Sequence, residues 1–355
     1  MVIKKAMPEK LQETRKLDHI ELALAAQTPC KEVDRRFYYE PLFSGHPTKK
    51  TDLSLTLFDK KLNAPLWVSS MTGGVGPARH INQNLARVCR EFGLGMGLGS
   101  CRVLLNDDTY FNDFNLRPIL GPDLPFFANL GIAQIEQLLS EKKSLQQLNN
   151  LLLKLEADGL IVHINPLQEW FQPEGDRLKD PPLLTLEKLC AVFKHKIIVK
   201  EVGQGMGPKS LKALLDLPIA GIELAAFGGT NFTKLEQLRE KKDELDSFSK
   251  VGHTALEMVG ILNLLLPQNP EYQKKQIIIS GGIGNILDGY FLRESLKFTS
   301  VIGQAKNFLR HADDYLQLRN FTEDQINGLK GAKAFLTIRS EQLYGLNAKE
   351  LHNEK

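Results

Sequence analysis

Short runs of apolar residues alternate with amphipathic stretches along most of the chain, and this alternation predicts parallel strands joined by helices. Eight runs after Ala64 are candidate strands, at residues 65–69, 93–97, 126–129, 159–163, 197–202, 221–224, 276–280 and 300–303. Their continuous apolar character is typical of strands that are buried on both faces. Apolar residues between them recur at helical spacing, as in the run Leu148, Leu151, Leu152 and Leu155.

Eight strand and helix units predict a closed (β/α)8 barrel of the TIM type, in the α/β fold class. The span 64–310 is close to the roughly 250 residues that this fold typically occupies. An open doubly wound sheet is the alternative architecture. Residues 1–63 contain one alternating run, Leu53, Leu55 and Leu57, and are interpreted as an N-terminal extension that caps the barrel.

Two segments outside the regular pattern predict further features. In the tail 311–355, Thr322 with Gln325 matches a capping box and predicts a C-terminal helix that runs toward Leu343. Residues 231–250, after the sixth strand, are strongly charged and carry few apolar anchors. Because long connections in compact domains are usually functional or disordered, this segment is interpreted as a lid.

The composition is that of an ordinary globular protein, with 42% hydrophobic and 25% charged residues. Lys and Arg (45) barely exceed Asp and Glu (42), so nucleic-acid binding gains no support. The sequence shows neither a secretory apolar region nor a stretch long enough to span a bilayer, and we expect a cytoplasmic protein. Its four cysteines lie far apart without a CxxC pair, which predicts reduced, structural thiols.

Polar groups gather where the predicted strands end, and catalytic groups of parallel barrels cluster at the carboxyl ends of strands. These groups include Ser70, Thr72, Ser100, Arg102, Asn129, His163, Asn165, Gln168, Glu169, Lys200, Thr230 and Lys306. Glycine-rich turns after the last two strands are common phosphate sites in barrels, because bare backbone amides can face the anion. Gly282 alone is better explained by a tight turn without a ligand, but together with Gly303 it favours phosphate binding.

Three side-chain groups each allow a functional and a structural interpretation. Glu169 could bind Mg²⁺ together with substrate oxygens, or it could be a solvated surface carboxylate. Lys200 lies in an apolar strand, which indicates either an anionic ligand or an ion pair with a neighbouring strand. Arg15, Lys16 and His19 form a basic cluster that fits a solvated helix face or a diphosphate site.

Taken together, the motifs of this chain resemble those of the type 2 isopentenyl-diphosphate isomerases, in order and at consistent spacing from about residue 10 to 310. They are Arg15-Lys16-x-x-His19, Met71-Thr72-Gly73-Gly74, Asn82-x-Asn84-Leu85-Ala86, Gly99-Ser100-x-Arg102, Asn129-Leu130-Gly131, His163-x-Asn165-x-x-Gln168-Glu169, Lys200-Glu201-Val202-Gly203-x-Gly205, Gly228-Gly229-Thr230 and Ser280-Gly281-Gly282-Ile283.

The resemblance implies an isomerase of isoprenoid biosynthesis that converts isopentenyl diphosphate to dimethylallyl diphosphate. It implies a barrel that binds FMN and Mg²⁺ and uses NADPH to reduce the flavin. It also implies assembly as a homo-oligomer, a tetramer or an octamer. Reduced FMN would act as the acid–base group at N5, with no net redox change.

The same resemblance assigns residues to these roles. FMN contacts are Ser70, Met71, Thr72, Ser100, Asn129, Lys200, Thr230, Gly281, Gly282, Ile283, Ala305 and Lys306. Candidate substrate residues are Arg15, Lys16, His19, Ser100, Arg102, Asn165 and Gln168. The implied catalytic residues are His163 and Gln168, and Glu169 is the implied metal ligand.

The chain departs from the family's pattern at three places. Ala225 stands where a serine is usual five residues before Thr230, Phe232 stands where tryptophan is common, and Gly284 replaces a basic or polar residue. One alternative is an FMN-dependent oxidoreductase of the α-hydroxy-acid oxidase type, but the His base and Arg pair that it needs are not evident. The other is an inactive barrel that binds phosphorylated ligands, which the adjacent Gln168 and Glu169 argue against.

Overall fold

The computed structural model describes residues 18–19, 22–48, 51–70, 72–74, 76, 78–140, 144–240 and 246–339. The strands in these ranges are β1 (Phe37–Tyr39), β2 (Leu55–Leu57), β3 (Lys60–Leu62), β4 (Leu66–Val68), β5 (Gly95–Gly97), β6 (Phe126–Gly131), β7 (Gly159–Ile164), β8 (Lys196–Glu201), β9 (Gly221–Glu223), β10 (Gln276–Ile279), β11 (Ser300–Gln304) and β12 (Leu336–Ile338). Strands β4 to β11 form a closed barrel in chain order, and β11 pairs with β4. All eight pairings are parallel, which confirms the predicted (β/α)8 fold.

Helices lie between the barrel strands and after β11. They are α1 (Ala78–Phe92), α2 (Phe111–Phe114), α3 (Arg117–Leu120), α4 (Ile132–Ser140), α5 (Ser144–Leu155), α6 (Pro166–Phe171), α7 (Pro182–Val192), α8 (Pro208–Asp216), α9 (Phe232–Glu240), α10 (Ala255–Leu265), α11 (Ile286–Ser295), α12 (Lys306–His311) and α13 (Tyr315–Phe335). Each predicted strand is present within two residues of its predicted bounds, because a strand buried on both faces needs an unbroken apolar run.

The β2–β3 hairpin closes the amino-terminal end of the barrel. Its turn residue Phe58 is 2% exposed, and its ring lies 6.0 Å from Trp67 and 5.0 Å from Phe127, between ring centroids. These aromatic side chains fill that end with apolar atoms, so the polar groups of the barrel lie at the carboxyl ends of the strands.

A second two-stranded sheet joins the two ends of the chain. Strand β1 pairs antiparallel with β12, with Phe37 opposite Ile338. Next to it, the Arg36 guanidinium forms an ion pair of 2.8 Å with Asp288 at the start of α11. The N-terminal extension and the C-terminal tail therefore pack together on the barrel. The division of the chain at residues 63 and 310 stays a prediction.

The predicted capping box at Thr322 is wrong. Helix α13 begins seven residues earlier, where the Asp314 carboxylate accepts hydrogen bonds from the backbone amides of Leu316 and Gln317. Thr322 is fully buried inside this helix, and its hydroxyl donates to the carbonyl of Leu318 at 2.8 Å. The helix ends at Phe335, and the part of the tail beyond residue 339 lies outside the described residues.

The segment interpreted as a lid is more regular than predicted, because its described residues form α9 and a 3-10 turn at Asp246–Lys250. Polar side chains help to anchor it. The buried Gln204 side chain donates to the carbonyls of Phe248 (3.0 Å) and Val251 (2.6 Å), and it accepts from the Thr233 hydroxyl at 2.7 Å. A count of apolar anchors could not detect this attachment.

Two features bear on the expectations from composition. The helices of the described residues include none that is long and apolar enough to cross a membrane. The four cysteines are free thiols, and burial raises the pKa of the Cys101 thiol to about 12. A thiol with such a pKa stays protonated and unreactive, as a structural role requires.

Candidate active site

A cavity of about 310 Å³ opens at the carboxyl ends of β4 and β8 to β11. Among the residues that line it are Ser69, Ser70, Lys200, Glu223, Thr230, Ser280, Gly281, Gly282, Ile283, Gln304, Ala305, Lys306, Asn307 and Arg310. Eight of the predicted flavin contacts belong to this lining: Ser70, Lys200, Thr230, Gly281, Gly282, Ile283, Ala305 and Lys306.

Two glycine-rich turns pack against each other at one side of the cavity. Gly228, Gly281 and Gly282 have φ angles of +103°, +86° and +69°, which L-residues with a side chain rarely adopt. A Cβ atom on Gly281 would lie 2.1 Å from the carbonyl oxygen of Ala226. Glycine is therefore required here by both conformation and space, and the turns present bare backbone to the cavity.

Two cations stand at the same side of the cavity, on the short helix α12. Lys306 and Arg310 are both exposed, and neither forms an ion pair or side-chain hydrogen bond within the described part of the chain. Free cations beside glycine turns can bind a phosphate group. Sequence reasoning missed Arg310, although its spacing of four residues from Lys306 places both on one helix face.

The floor of the cavity contains buried polar groups. Lys200 is 8% exposed, and its ammonium donates to the carbonyl of Glu201 at 2.7 Å. Glu223 is fully buried beside Lys200 on the neighbouring strand, and it accepts from the Ser280 hydroxyl at 3.2 Å. Glu223 is the carboxylate on a neighbouring strand with which Lys200 could have formed the ion pair considered as its structural role. Lys200 and Glu223 form no ion pair. In the described residues the Ser69 and Ser70 hydroxyls have no hydrogen-bond partner, so the floor keeps polar atoms available for rearrangement around a ligand.

His163 is a neutral histidine held in one tautomer. Its Nδ1 lies 2.7 Å from Oδ1 of Asn129, an oxygen that can only accept, so Nδ1 carries the proton. Burial and, to a smaller extent, the positive charge of Lys200 lower the pKa of His163 to about 3. Nε2 therefore keeps a free lone pair at neutral pH.

Asn165, Gln168 and Glu169 form one hydrogen-bonded group at the start of α6. The Asn165 amide donates to Gln168 Oε1 at 3.1 Å and to Glu169 Oε1 at 2.9 Å. Gln168 in turn donates to the buried Glu236 of α9 at 3.2 Å. The Gln168 amide is thus held at both ends, and α9 takes part in placing it.

Glu169 has a single carboxylate to offer a metal ion. It is 8% exposed, and its second oxygen accepts from the backbone amide of Asp176 at 2.7 Å. Asp176 also forms an ion pair of 2.9 Å with Arg102, so Asp176 bonds to both a predicted substrate residue and the predicted metal ligand. No cluster of three or more His, Cys, Asp or Glu side chains suited to a metal occurs in the ranges that the structure describes. A carboxylate has about four lone-pair positions, so Glu169 could still supply one metal bond.

The other predicted site residues are not in the lining of this cavity. Thr72, Ser100 and Asn129 follow or end the neighbouring strands without lining it, and Asn165 and Gln168 line a second cavity of about 290 Å³. His19 is exposed. Arg15, Lys16 and Met71 lie outside the described residues. Sequence reasoning also missed Glu223 and Glu236. A charge inside an apolar strand, the signal that identified Lys200, could have found Glu223, whereas a single acid in the charged helix α9 carries no distinctive pattern.

Ala225, where the family usually carries serine, has an unusual backbone. Its φ angle is +41°, in the left-handed region that disfavours a side chain. Its amide donates to the Ser280 hydroxyl at 3.0 Å, and this bond connects the turn after β9 to the end of β10. The position therefore combines backbone strain with a contact to the cavity floor.

The parallel barrel, with its cavity and polar groups at the carboxyl ends of the strands, defines a (β/α)8-barrel enzyme. No protein-family model matches the chain. Isopentenyl-diphosphate delta-isomerase of Chlorobium chlorochromatii is 32% identical over 339 residues, 91% of this chain and 92% of that protein. The Synechocystis protein of the same name is 35% identical over 283 residues, 78% of each chain. The chain belongs to the isopentenyl-diphosphate delta-isomerase family, which confirms the resemblance of its motifs.

Solved structures agree with the barrel fold. The flavin-binding domain of baker's yeast flavocytochrome b2 has a TM-score of 0.58 and 13% identity, over 87% of this chain and 77% of that chain. A mandelate oxidase variant with (S)-mandelic acid has a TM-score of 0.53 and 13% identity, over 86% and 87%. At such low identity the similarity shows the fold alone.

Proposed function

We propose that the chain is an FMN-dependent isomerase that interconverts isopentenyl diphosphate and dimethylallyl diphosphate. The observation that carries the proposal is the composition of the first cavity. Glycine turns and free cations line one side of it, and the buried Lys200 lies in its floor. Membership of the isomerase family supports the substrate and product. NADPH as the flavin's reductant, and assembly into a tetramer or octamer, belong to the same proposal.

The residues present fit FMN. Gly281 and Gly282 line the cavity with backbone amides that could face a phosphate, and Lys306 and Arg310 would neutralise its charge. Lys200 would face an electron-rich edge of the flavin, and the unpartnered hydroxyl of Ser70 would find a partner there. The bare turns explain why two glycines with positive φ stand in succession at this point.

The reaction needs a proton added at one carbon of an unactivated alkene and another removed from the allylic neighbour, which side-chain acids do poorly. Bound, reduced FMN supplies an acid–base group for this exchange without net oxidation. His163 contributes a neutral imidazole whose Nε2 accepts hydrogen bonds, since its pKa lies near 3. Gln168, held by Asn165 and Glu236, presents a fixed amide to the substrate.

The diphosphate would be held by cationic and metal contacts at the loop after β7. Arg102 already lies there through its ion pair with Asp176, and Glu169 would bind one Mg²⁺ whose other ligands are diphosphate oxygens and water. Ser100, Asn165, His19, Arg15 and Lys16 complete the proposed substrate contacts. The single carboxylate explains why the metal would bind together with the substrate.

Flavin uptake is the first test of this function. The purified protein is saturated with oxidised FMN, freed of excess by gel filtration and examined by absorbance. We expect retained flavin with a spectrum shifted from that of free FMN, and Lys200→Ala should retain less. A wild-type protein that retains no FMN would contradict the proposal.

A further inference from the structure

The loop that follows β4 packs closely against neighbouring parts of the protein. A Cβ atom on Gly99 would lie 1.9 Å from the carbonyl oxygen of Thr72, so the end of β5 packs directly against the loop. On the other side, a Cβ atom on Gly74 would lie 2.2 Å from the ring of Phe114 in α2. The loop that carries Thr72 is therefore packed on both sides, against Gly99 and against the ring of Phe114.

Asn82 of α1 meets this loop with a side chain of defined orientation. It is 2% exposed, and its amide nitrogen donates to the carbonyl of Asp113 at 2.9 Å. A carbonyl oxygen can only accept, so this bond fixes which end of the amide is nitrogen. The opposite end, Oδ1, faces Thr72 and can act only as an acceptor.

The Thr72 hydroxyl consequently has no proton left for another partner. Its Oγ1 donates to Asn82 Oδ1 in a close hydrogen bond, and no second hydrogen bond of this hydroxyl occurs among the residues described. A hydroxyl has one proton and two lone pairs. Toward any ligand, Thr72 therefore offers lone pairs alone.

We propose that Asn82 is a positioning residue that holds the Thr72 hydroxyl as a hydrogen-bond acceptor for a ring N–H of the flavin. The inference rests on the proposed function. A flavin carries a ring N–H at N3 in both oxidation states and a further one at N5 when it is reduced, while its other polar ring atoms in the oxidised state accept. An acceptor of fixed polarity therefore selects the N–H edge of the ring, and a hydroxyl free to rotate would not.

Four variants test this polarity: Asn82→Ala, Thr72→Val, the conservative Thr72→Ser, and Asn84→Ala as a matched control. Asn84 is on the same helix and equally buried at 2%, and its amide likewise donates to a backbone carbonyl, that of Ala312 at 2.8 Å. It does not bond to Thr72. Melting temperatures of all variants show how much of any effect is loss of stability.

Dissociation constants are measured for oxidised FMN, anaerobically reduced FMN and N3-methyl FMN. If the N–H at N5 is the donor, Asn82→Ala and Thr72→Val weaken reduced FMN about tenfold relative to oxidised FMN. If N3 is the donor, they weaken both oxidation states, and the loss disappears with N3-methyl FMN. Thr72→Ser and Asn84→Ala should keep the wild-type ratios.

Two outcomes overturn the inference. If Asn82→Ala weakens the binding of all three flavins equally, and Asn84→Ala does the same, then Asn82 only stabilises the structure of the loop. Unchanged affinities in Asn82→Ala and Thr72→Val would remove both side chains from the flavin contacts. Absence of flavin uptake by the wild-type protein is a different result, because it contradicts the proposed function itself.

Discussion

Asn129 fixes the tautomer of His163, because its Oδ1 lies 2.7 Å from the imidazole Nδ1 and can only accept. Burial keeps the imidazole neutral, and its pKa falls from 6.5 to about 3. At mildly acidic pH, His163 must therefore lose its proton when the chain folds. The free energy of unfolding consequently depends on pH through this residue.

The first prediction concerns this pH dependence. Between pH 6.5 and about 3 the unfolded chain protonates His163 while the folded chain does not, so the free energy of unfolding falls as the pH falls. Urea unfolding should show a decrease of about 1.5 kcal/mol between pH 6.5 and 5 from this residue. His163→Gln should remove that part of the slope, whereas His195→Gln, at an exposed position, should keep it. An identical slope in His163→Gln and the wild type would contradict the neutral histidine.

The second prediction tests the phosphate side of the cavity. Arg310→Gln should weaken FMN about tenfold, the order expected for one charged hydrogen bond, and should leave riboflavin within about twofold. Arg310→Lys keeps the charge and should lose less. Fluorescence titration with both flavins measures the ratio. If riboflavin and FMN weaken equally, Arg310 does not contact the phosphate.

The third prediction concerns the metal. Because Glu169 offers one carboxylate already bonded to Asn165 and Asp176, Mg²⁺ should bind weakly alone and tightly only when a diphosphate is present. Calorimetry with Mg²⁺, with and without isopentenyl diphosphate, checks this. Glu169→Gln should lose Mg²⁺-dependent activity and keep its flavin spectrum. Glu174→Gln, on the same loop but exposed, is the control and should keep both properties. Unchanged metal dependence in Glu169→Gln would exclude Glu169 as a ligand.

The fourth prediction uses the strained turn after β9. Ala225 has a φ angle of +41°, so Ala225→Gly should relieve strain and raise the free energy of unfolding by about 1 kcal/mol. The neighbouring Ala226 is fully buried with an ordinary φ angle, so Ala226→Gly should instead destabilise the protein. Thermal unfolding of the two variants distinguishes them. A destabilised Ala225→Gly would show that its methyl group packs favourably despite the strain.

The sequence was informative about the fold where one physical demand acts on successive residues. Strands such as β4 must be apolar on both faces, and this produced the runs that predicted all eight strands. Thr322 misled because a hydroxyl three residues before a glutamine also occurs inside helices, where it bonds to the preceding turn.

Site residues were predictable where their position in the chain was distinctive. Glycine turns and strand-end polar groups could be recognised, and Lys200 is indeed buried in the cavity lining. Glu223 and Arg310 were missed, because their importance depends on which strand or helix face lies beside them. The orientation of Asn82 depends on a single bond to Asp113, which no pattern of residue types can reveal.

The most direct measurement of the central claim is turnover by enzyme reduced beforehand. FMN-loaded protein is reduced anaerobically with dithionite and given isopentenyl diphosphate and Mg²⁺ in deuterated water, with no nicotinamide. If the flavin serves as an acid–base group, dimethylallyl diphosphate should form over many turnovers and carry solvent deuterium. An oxidoreductase would consume one nicotinamide or one oxidant for each product molecule. Absence of the allylic product, or its formation only in proportion to an added redox partner, would contradict the isomerase.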